Sequence, residues 1–321
     1  MERSAHEAGN GTWALSDGRA GNARQALALA MALDAAAEAC VLAPRASWRW
    51  CAPRRLPGAD AAFGASLGAQ PARPALAVGC GRQAALATRL LRERGARAVQ
   101  VLDPRIDPAH WDVVVVPEHD RVRGDNVVTL LGSLHPVDDA WLERARARFP
   151  LPAAQAGPRT ALLVGGPTAH ARWDRRELGA WLDAIDAIHA RDDGMLLVSA
   201  SRRTPARYRA LLRRRCAGRA ALLWLDERDG ANPYAGLLAR ADRIVCTPDS
   251  VNMVSEAAAT HAPVFVADPG VAQGRLRNFL DALAARDRIR PLDGELAPFA
   301  VEPLRETARV AAEVRARLGS A

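Results

Sequence analysis

Asp242–Asp268 reads DRIVCTPDSVNMVSEAAATHAPVFVAD, and the fold follows from how this stretch is read. Arg243–Cys246 and Pro263–Ala267 are short apolar runs bounded by turn residues, as buried parallel strands are. Between them Asp249 and Ser250 are candidates to cap a helix N-terminus, and Ser255 and Glu256 follow one to two turns later. The stretch predicts a strand–helix–strand unit whose helix opens at the carboxyl edge of its strand. Unpaired backbone N–H groups and the helix dipole favour an anion there. Glu256 would then point back at sugar hydroxyls, although the same spacing also fits an ordinary capped helix.

Working outward through the second half, the alternation repeats. Thr160–Val164 is a strand ending in Gly165, Gly166 and Pro167, and Leu178, Trp181, Leu182, Ile185 and Ile188 form a helical stripe. Met195–Val198 is a strand that ends in SASRRTP, carrying Ser201, Arg202 and Arg203. A helix over Pro205–Arg215, a strand over Ala221–Trp224 and a short helix from Asn232–Tyr234 lead back to the opening stretch. A helix over Gln273–Ala284 follows. A last helix, Pro303–Leu318, carries Leu304, Ala308, Ala311, Val314 and Leu318 and is expected to cross back to the first half. Glycines for close approach, arginines for a diphosphate and a carboxylate for a ribose at neighbouring strand ends make a nucleotide site.

The first half opens with a strand over Thr12–Ser16 and the turn DGRAGN, in which Asp17, Gly18, Arg19 and Gly21 are the chemical tools. Ala26, Leu29, Ala30, Leu33 and Ala37 form the next helical stripe, and Ala39–Leu42 the next strand. Pro44–Pro74, rich in Pro, Arg and Gly, reads mostly as loop. Strands over Leu76–Val78 and Ala98–Leu102 flank a helix over Gln83–Arg94. The turn between carries Gly79, Gly81 and Ala84, with Arg82 beside them and Asp103 after the second strand. This GxGxxA is a dinucleotide fingerprint at face value, but any tight strand–helix turn favours such glycines. Asp112–Val116 is a β-branched run of the central-strand type, ending in Pro117, Glu118, His119 and Asp120. Asn126–Leu131 reads as an edge strand and Asp138–Arg148 as a helix. Phe149–Pro158 has linker composition, which sets expected domains of 1–150 and 151–321.

Composition bounds the function. The chain has 321 residues with 49% apolar and 25% charged, ordinary for a globular protein with two domains. Its formal charge is +8, and all 44 basic residues are arginine. That bias suits a GC-rich genome, and it excludes P-loop lysines, Schiff bases and Tyr–Lys catalytic pairs. No nucleic-acid module accompanies the charge, so no nucleic-acid partner is expected. The five cysteines are scattered without metal spacing and read as reduced structural thiols. The N-terminus has no apolar core of a secretion signal and no run is long enough to span a bilayer, so a cytoplasmic location is expected.

The segments SDGRAGNARQALALA, VLDPR, VVVVPEHD, GGPTAH with RWD, SRRTP, NPY and TPDSVNMVSEAAAT occur in this order along the chain. Together they closely resemble the bacterial family related to the plant "elongated mitochondria" fission protein, once catalogued as nucleoside-diphosphate-sugar epimerases. The resemblance implies an α/β, GT-B-like glycosyltransferase architecture: two Rossmann-like domains facing a cleft, with the donor on the C-terminal one. Asn22 stands where that family usually has histidine. The implied activity is transfer from a nucleotide-sugar co-substrate, inverting and metal-independent, with no cofactor. Gly165, Gly166, Ser201, Arg202, Arg203, Asp249, Ser250, Ser255 and Glu256 would hold the donor. Gly18, Arg19, Gly21, Gly81 and Arg82 would line the acceptor side, with Asp17 or His119 as general base. A lipid-linked or membrane-surface acceptor, and hence a place at the inner membrane surface, is a further expectation. The alternatives are a non-catalytic membrane-recruitment adaptor with a vestigial nucleotide fold, and an NAD-dependent sugar-nucleotide oxidoreductase or epimerase. An epimerase of the short-chain dehydrogenase type needs a Tyr–Lys pair, which a chain without lysine lacks.

Overall fold

A computed structural model of the chain describes residues 11–64, 67, 73–150 and 157–319. The N-terminal decapeptide, part of the Pro44–Pro74 loop and the middle of the expected linker lie outside these residues. The chain divides into two compact units, Met1–Pro136 with Glu306–Ala321, and Val137–Arg305.

The first unit holds a six-stranded sheet of β1 (Thr12–Ser16), β2 (Glu38–Val41), β3 (Leu76–Cys80), β4 (Arg97–Val101), β5 (Val113–Pro117) and β6 (Val127–Leu130), in the order β2-β1-β3-β4-β5-β6. Every pairing is parallel. Helices cover both faces, which is why β5 is buried along its whole length and reads as an unbroken valine run. Helix Ala20–Leu33 ends earlier than its apolar stripe suggests, because Asp34 turns the chain by accepting from the Ala36 N–H at 2.9 Å, leaving Ala37 beyond the end.

The last helix, Thr307–Gly319, returns to this unit as expected. It starts later than expected, since residues 301–306 carry no regular structure and the Leu304 N–H donates to the Ala258 carbonyl at 2.9 Å. Val310, Ala311 and Val314 bury in one cluster with Ala26, Leu29 and Ala30, whereas Ala308 faces out. Glu306 accepts from the Leu131 N–H, and the Thr307 hydroxyl donates to the His135 carbonyl at 2.8 Å.

The second unit holds β7 (Arg159–Val164), β8 (Met195–Ala200), β9 (Ala220–Trp224), β10 (Arg243–Cys246), β11 (Val264–Val266) and β12 (Ile289–Pro291), in the order β12-β11-β10-β7-β8-β9, all parallel. The units divide at Pro136/Val137 rather than after Pro150, because helix Asp139–Arg148 is tied to the second unit. Arg146 donates to the Ala239 carbonyl at 2.8 Å, and Arg240 donates to the carbonyls of Arg146 at 2.6 Å and Phe149 at 2.9 Å. No helix among the described residues is long and apolar enough to cross a membrane.

In each sheet the chain reverses its direction of growth once. In the first, β2 lies on one side of β1 and β3 on the other; in the second, β8 lies on one side of β7 and β10 on the other. Loops leaving adjacent strands toward opposite sides open a crevice at the carboxyl edge, where ligands of open α/β sheets bind. The fold thus names two places to look: the turns after β1 and β3, and the turns after β7 and β10.

Candidate functional site

At the second crevice, β10 ends in Thr247, Pro248 and Asp249, and Ser250 caps helix Val251–Ala258 by accepting from the Met253 N–H at 3.4 Å. Of the two expected caps, Ser250 therefore does the capping and Asp249 does something else. Its side chain is fully buried and accepts from the Gly166 N–H at 2.9 Å, the Thr247 hydroxyl at 2.7 Å and the Arg203 guanidinium at 3.1 Å. Burial pushes its carboxyl up, against the opposing pull of Thr247, Gly166 and Arg203. A Cβ on Gly165 would overlap this carboxylate, and one on Gly166 would overlap the Arg203 carbonyl. The two glycines are thus required by the packing of three strand ends on one another.

The β8 end completes the cluster. The Ser201 hydroxyl accepts from the Arg203 N–H at 3.2 Å and lies 3.2 Å from the Thr204 hydroxyl. Thr204 in turn sits 2.6 Å from the Gly165 carbonyl, and the Thr247 hydroxyl accepts from the Gly165 N–H at 2.8 Å. Thr204 and Thr247 stitch β7 to its two neighbours and were not anticipated. The only local signal for them is that each precedes a proline at a strand end, where the chain must stay extended. Arg202 is exposed and makes no hydrogen bond or ion pair among the described residues; the Arg203 side chain is half exposed. These two guanidinium groups and the Ser250-capped start of helix Val251–Ala258 are the cationic features at this crevice.

Ser255 and Glu256 are buried inside that helix. Glu256 accepts from the Tyr234 hydroxyl at 2.7 Å, so its carboxylate ties the helix to the Pro233–Tyr234 corner.

In the first unit, Asp17 follows β1 directly, with its side chain 11% exposed. It accepts from Asn22 at 3.0 Å and from the Arg19 N–H at 3.2 Å, with the Arg19 guanidinium 3.5 Å away. Asn22, at the family's histidine position, is therefore a direct partner of Asp17. Gly81 after β3 has φ +87°, and a Cβ there would lie 2.6 Å from the Asn22 side chain. The crevice turns meet at Asp17, Asn22 and Gly81. Gly18 has φ +76°, Gly21 lies in the first turn of helix Ala20–Leu33, and Arg82 begins helix Arg82–Glu93 and donates to the Arg49 carbonyl at 2.9 Å.

His119 follows β5, three strands from β1, or roughly 14 Å across the sheet at about 4.8 Å per strand. Asp17 and His119 are thus separate candidates and not a cooperating pair. The GxGxxA glycines are used by the fold: a Cβ on Gly79 would come within 2.6 Å of Thr88, and Gly81 supplies the left-handed turn. Asp103 accepts from the Arg105 N–H at 2.7 Å, closing its own turn. Cys80 and Cys246 end central strands, and burial pushes both thiols up, which suits inert structural thiols.

The comparisons agree with this architecture. The UDP-GlcNAc 2-epimerase from Methanocaldococcus jannaschii superimposes with a TM-score of 0.57 at 11% identity, over 97% of this chain and 99% of that one. The UDP-GlcNAc 2-epimerase from Neisseria meningitidis, bound to UDP-GlcNAc, gives 0.51 at 10% identity, over 96% and 100%. Such likeness shows the fold, a GT-B-like pair of α/β units. Mitochondrial fission protein ELM1 of Arabidopsis thaliana is 26% identical over 278 residues, 77% of this chain, and the match spans 64% of the plant protein's length. The family model described as Mitochondrial fission ELM1 matches residues 20–318, and the chain belongs to that family.

Proposed function

We propose that the chain is a GT-B-like glycosyltransferase that takes a nucleotide-sugar donor at the crevice of its second unit, inverting and without a metal ion. The observation that carries this reading is that Arg202 and Arg203 after β8 and the N-terminus of helix Val251–Ala258 after β10 follow the two strands flanking β7, at a topological switch point. A diphosphate is held by cations and by the positive end of a helix dipole, and this crevice carries two guanidinium groups and a helix N-terminus. In the reaction the acceptor hydroxyl oxygen attacks the anomeric carbon, the bond to the diphosphate breaks, and the nucleotide leaves with the electron pair. Asp17, held by Asn22, is the proposed base for the acceptor's proton, with His119 the alternative. Two solved neighbours are named for enzymes of a UDP-linked sugar, the ligand class proposed here.

A second reading has its own observation. Asp249 already occupies the Gly166 N–H and pairs with Arg203, so these two groups are satisfied without a ligand. That suits an adaptor that keeps the fold without the chemistry, and the plant relative carries a fission-protein name.

Thermal shift and titration calorimetry with UDP-, GDP- and CMP-sugars and with NAD(H) separate the readings, since a ligand of the folded state raises its stability. Transfer predicts stabilisation by one nucleotide sugar and none by NAD(H). Arg202→Gln should keep the fold and weaken binding about tenfold, the loss of one charge-assisted contact. No binding by any nucleotide supports the adaptor, and conversion of the bound sugar to its epimer without an acceptor would replace transfer by epimerisation.

A further inference from the structure

The stretch Leu42–Gly58, LAPRASWRWCAPRRLPG, contains four arginines and no acidic residue. It is seated by Leu42 and Ala52, which bury in the core of the first unit with the Ala59, Ala62 and Phe63 that follow the stretch, and Trp48 packs against that cluster. Arg45 donates its N–H to the Ala62 carbonyl at 2.9 Å, and Arg89 donates to the Pro53 carbonyl at 2.8 Å. Trp50 lies two positions from Trp48 on helix Ala46–Cys51, hence on the opposite face. It is 83% exposed, and Leu56 is 43% exposed. Arg45, Arg49 and Arg54 are exposed and form no ion pair among the described residues, whereas Arg55 is taken up by Glu93. Of the four exposed large hydrophobic side chains among the described residues, Val41, Trp50 and Leu56 fall within residues 41–56, and a local concentration of that kind marks an interaction surface.

The patch borders the first crevice. Val41, 64% exposed, stands 3.2 Å from where a Cβ on Gly18 would be, and the Arg49 carbonyl accepts from Arg82 at 2.9 Å. Val41 and the Arg49 backbone, one residue before Trp50, therefore border the turns after β1 and β3.

We propose that Trp50 and Leu56, flanked along the chain by Arg45, Arg49 and Arg54, dock this segment on an anionic phospholipid surface. Indole rings settle at the headgroup level, and guanidinium groups pair with lipid phosphates. No acidic side chain of the segment opposes a negative surface. The docked protein presents its Asp17 turn to the bilayer, so the acceptor is a hydroxyl or phosphate carried on a lipid. That last clause rests on the transferase reading; the docking does not.

Flotation of the full chain with phosphatidylcholine vesicles, with and without phosphatidylglycerol, tests it. Wild type should bind the anionic vesicles at low salt, bind neutral ones poorly, and release as salt rises. The double variant Trp50→Ala, Leu56→Ala should bind about tenfold more weakly or worse, and so should the triple variant Arg45→Gln, Arg49→Gln, Arg54→Gln. A triple change of equal charge on the second unit, Arg172→Gln, Arg175→Gln, Arg176→Gln, should bind as wild type does. Equal binding to neutral vesicles, equal loss in both triple variants, or an unaffected double variant overturns the proposal. So does a concentration-dependent dimer abolished by Trp50→Ala, which would make a second copy the occupant. UDP titration of the same variants keeps the readings apart. Absent nucleotide binding with patch-dependent vesicle binding sinks the transferase alone, and the reverse sinks the docking surface alone.

Discussion

The Asp249 carboxylate gathers three donors, the Gly166 N–H, the Thr247 hydroxyl and the Arg203 guanidinium, while losing all contact with water. Burial raises its carboxyl above the ordinary 3.8, so between that value and the raised one the folded state holds more protons than the unfolded state. The stability it contributes is fully present below 3.8 and is lost as pH rises through the raised value. Asp249→Asn removes this titration, so its urea-unfolding free energy should fall less steeply with rising pH across that window than that of wild type. Identical slopes would mean that the carboxylate is not the titrating group. At this scale the sequence was readable where a residue type has a local reason, as with the glycines of the strand ends and Ser250. It was silent where the reason lies far along the chain. Nothing near Glu256 announces that Tyr234, 22 positions away, will claim its carboxylate, and nothing near Asp249 announces that Gly165 will leave it room.

Helix Val251–Ala258 is held from its other end. Arg288, almost fully buried, donates to the carbonyls of Ala258 at 2.7 Å, Thr260 at 2.8 Å, Ala262 at 3.1 Å and Ala257 at 3.3 Å, and Arg305 donates to Ala259 at 3.0 Å. Burial pushes the Arg288 guanidinium down to about 10, which leaves it charged at neutral pH. Cations at the C-terminus complement the dipole whose positive end faces the crevice. Arg288→Met should cost about 3 kcal/mol or more in denaturant unfolding, because several bonds to a charged donor, each worth roughly 1.5–3 kcal/mol, go together. A cost below about 1 kcal/mol would mean that the helix end is supported by other groups. Among elements, strands were the most legible, since a buried parallel strand is an apolar run with turn residues at its ends. β12 escaped because Ile289–Pro291 is three residues at an edge, too short for any pattern. The apolar spacing of Leu304 extends the pattern of the last helix toward the N-terminus, although residues 301–306 carry no regular structure.

For the whole molecule, the first unit is discontinuous in sequence: it needs Glu306–Ala321 as well as Met1–Pro136. Truncation after Arg305 removes Val310, Ala311 and Val314 from a core that also holds Ala26, Leu29 and Ala30. Hydrogen exchange of the truncated protein should show protection lost across residues 12–130 and kept across 159–291, since the second unit has its own sheet. Uniform protection would make the last helix dispensable. The two-unit plan and the returning helix were both visible in the alternation of strand and helix patterns. The division at Pro136 was not, because composition marks a loop but cannot say to which side a helix such as Asp139–Arg148 will bind. The same discontinuity orders events at the ribosome. Residues 137–305 can close on themselves as they emerge, while the first 136 still lack the helix that seals them. At about 5–20 residues per second, that wait is on the order of ten to thirty seconds. The unit that is begun first is finished last, with its alanine and leucine stripe open to chaperones throughout the interval.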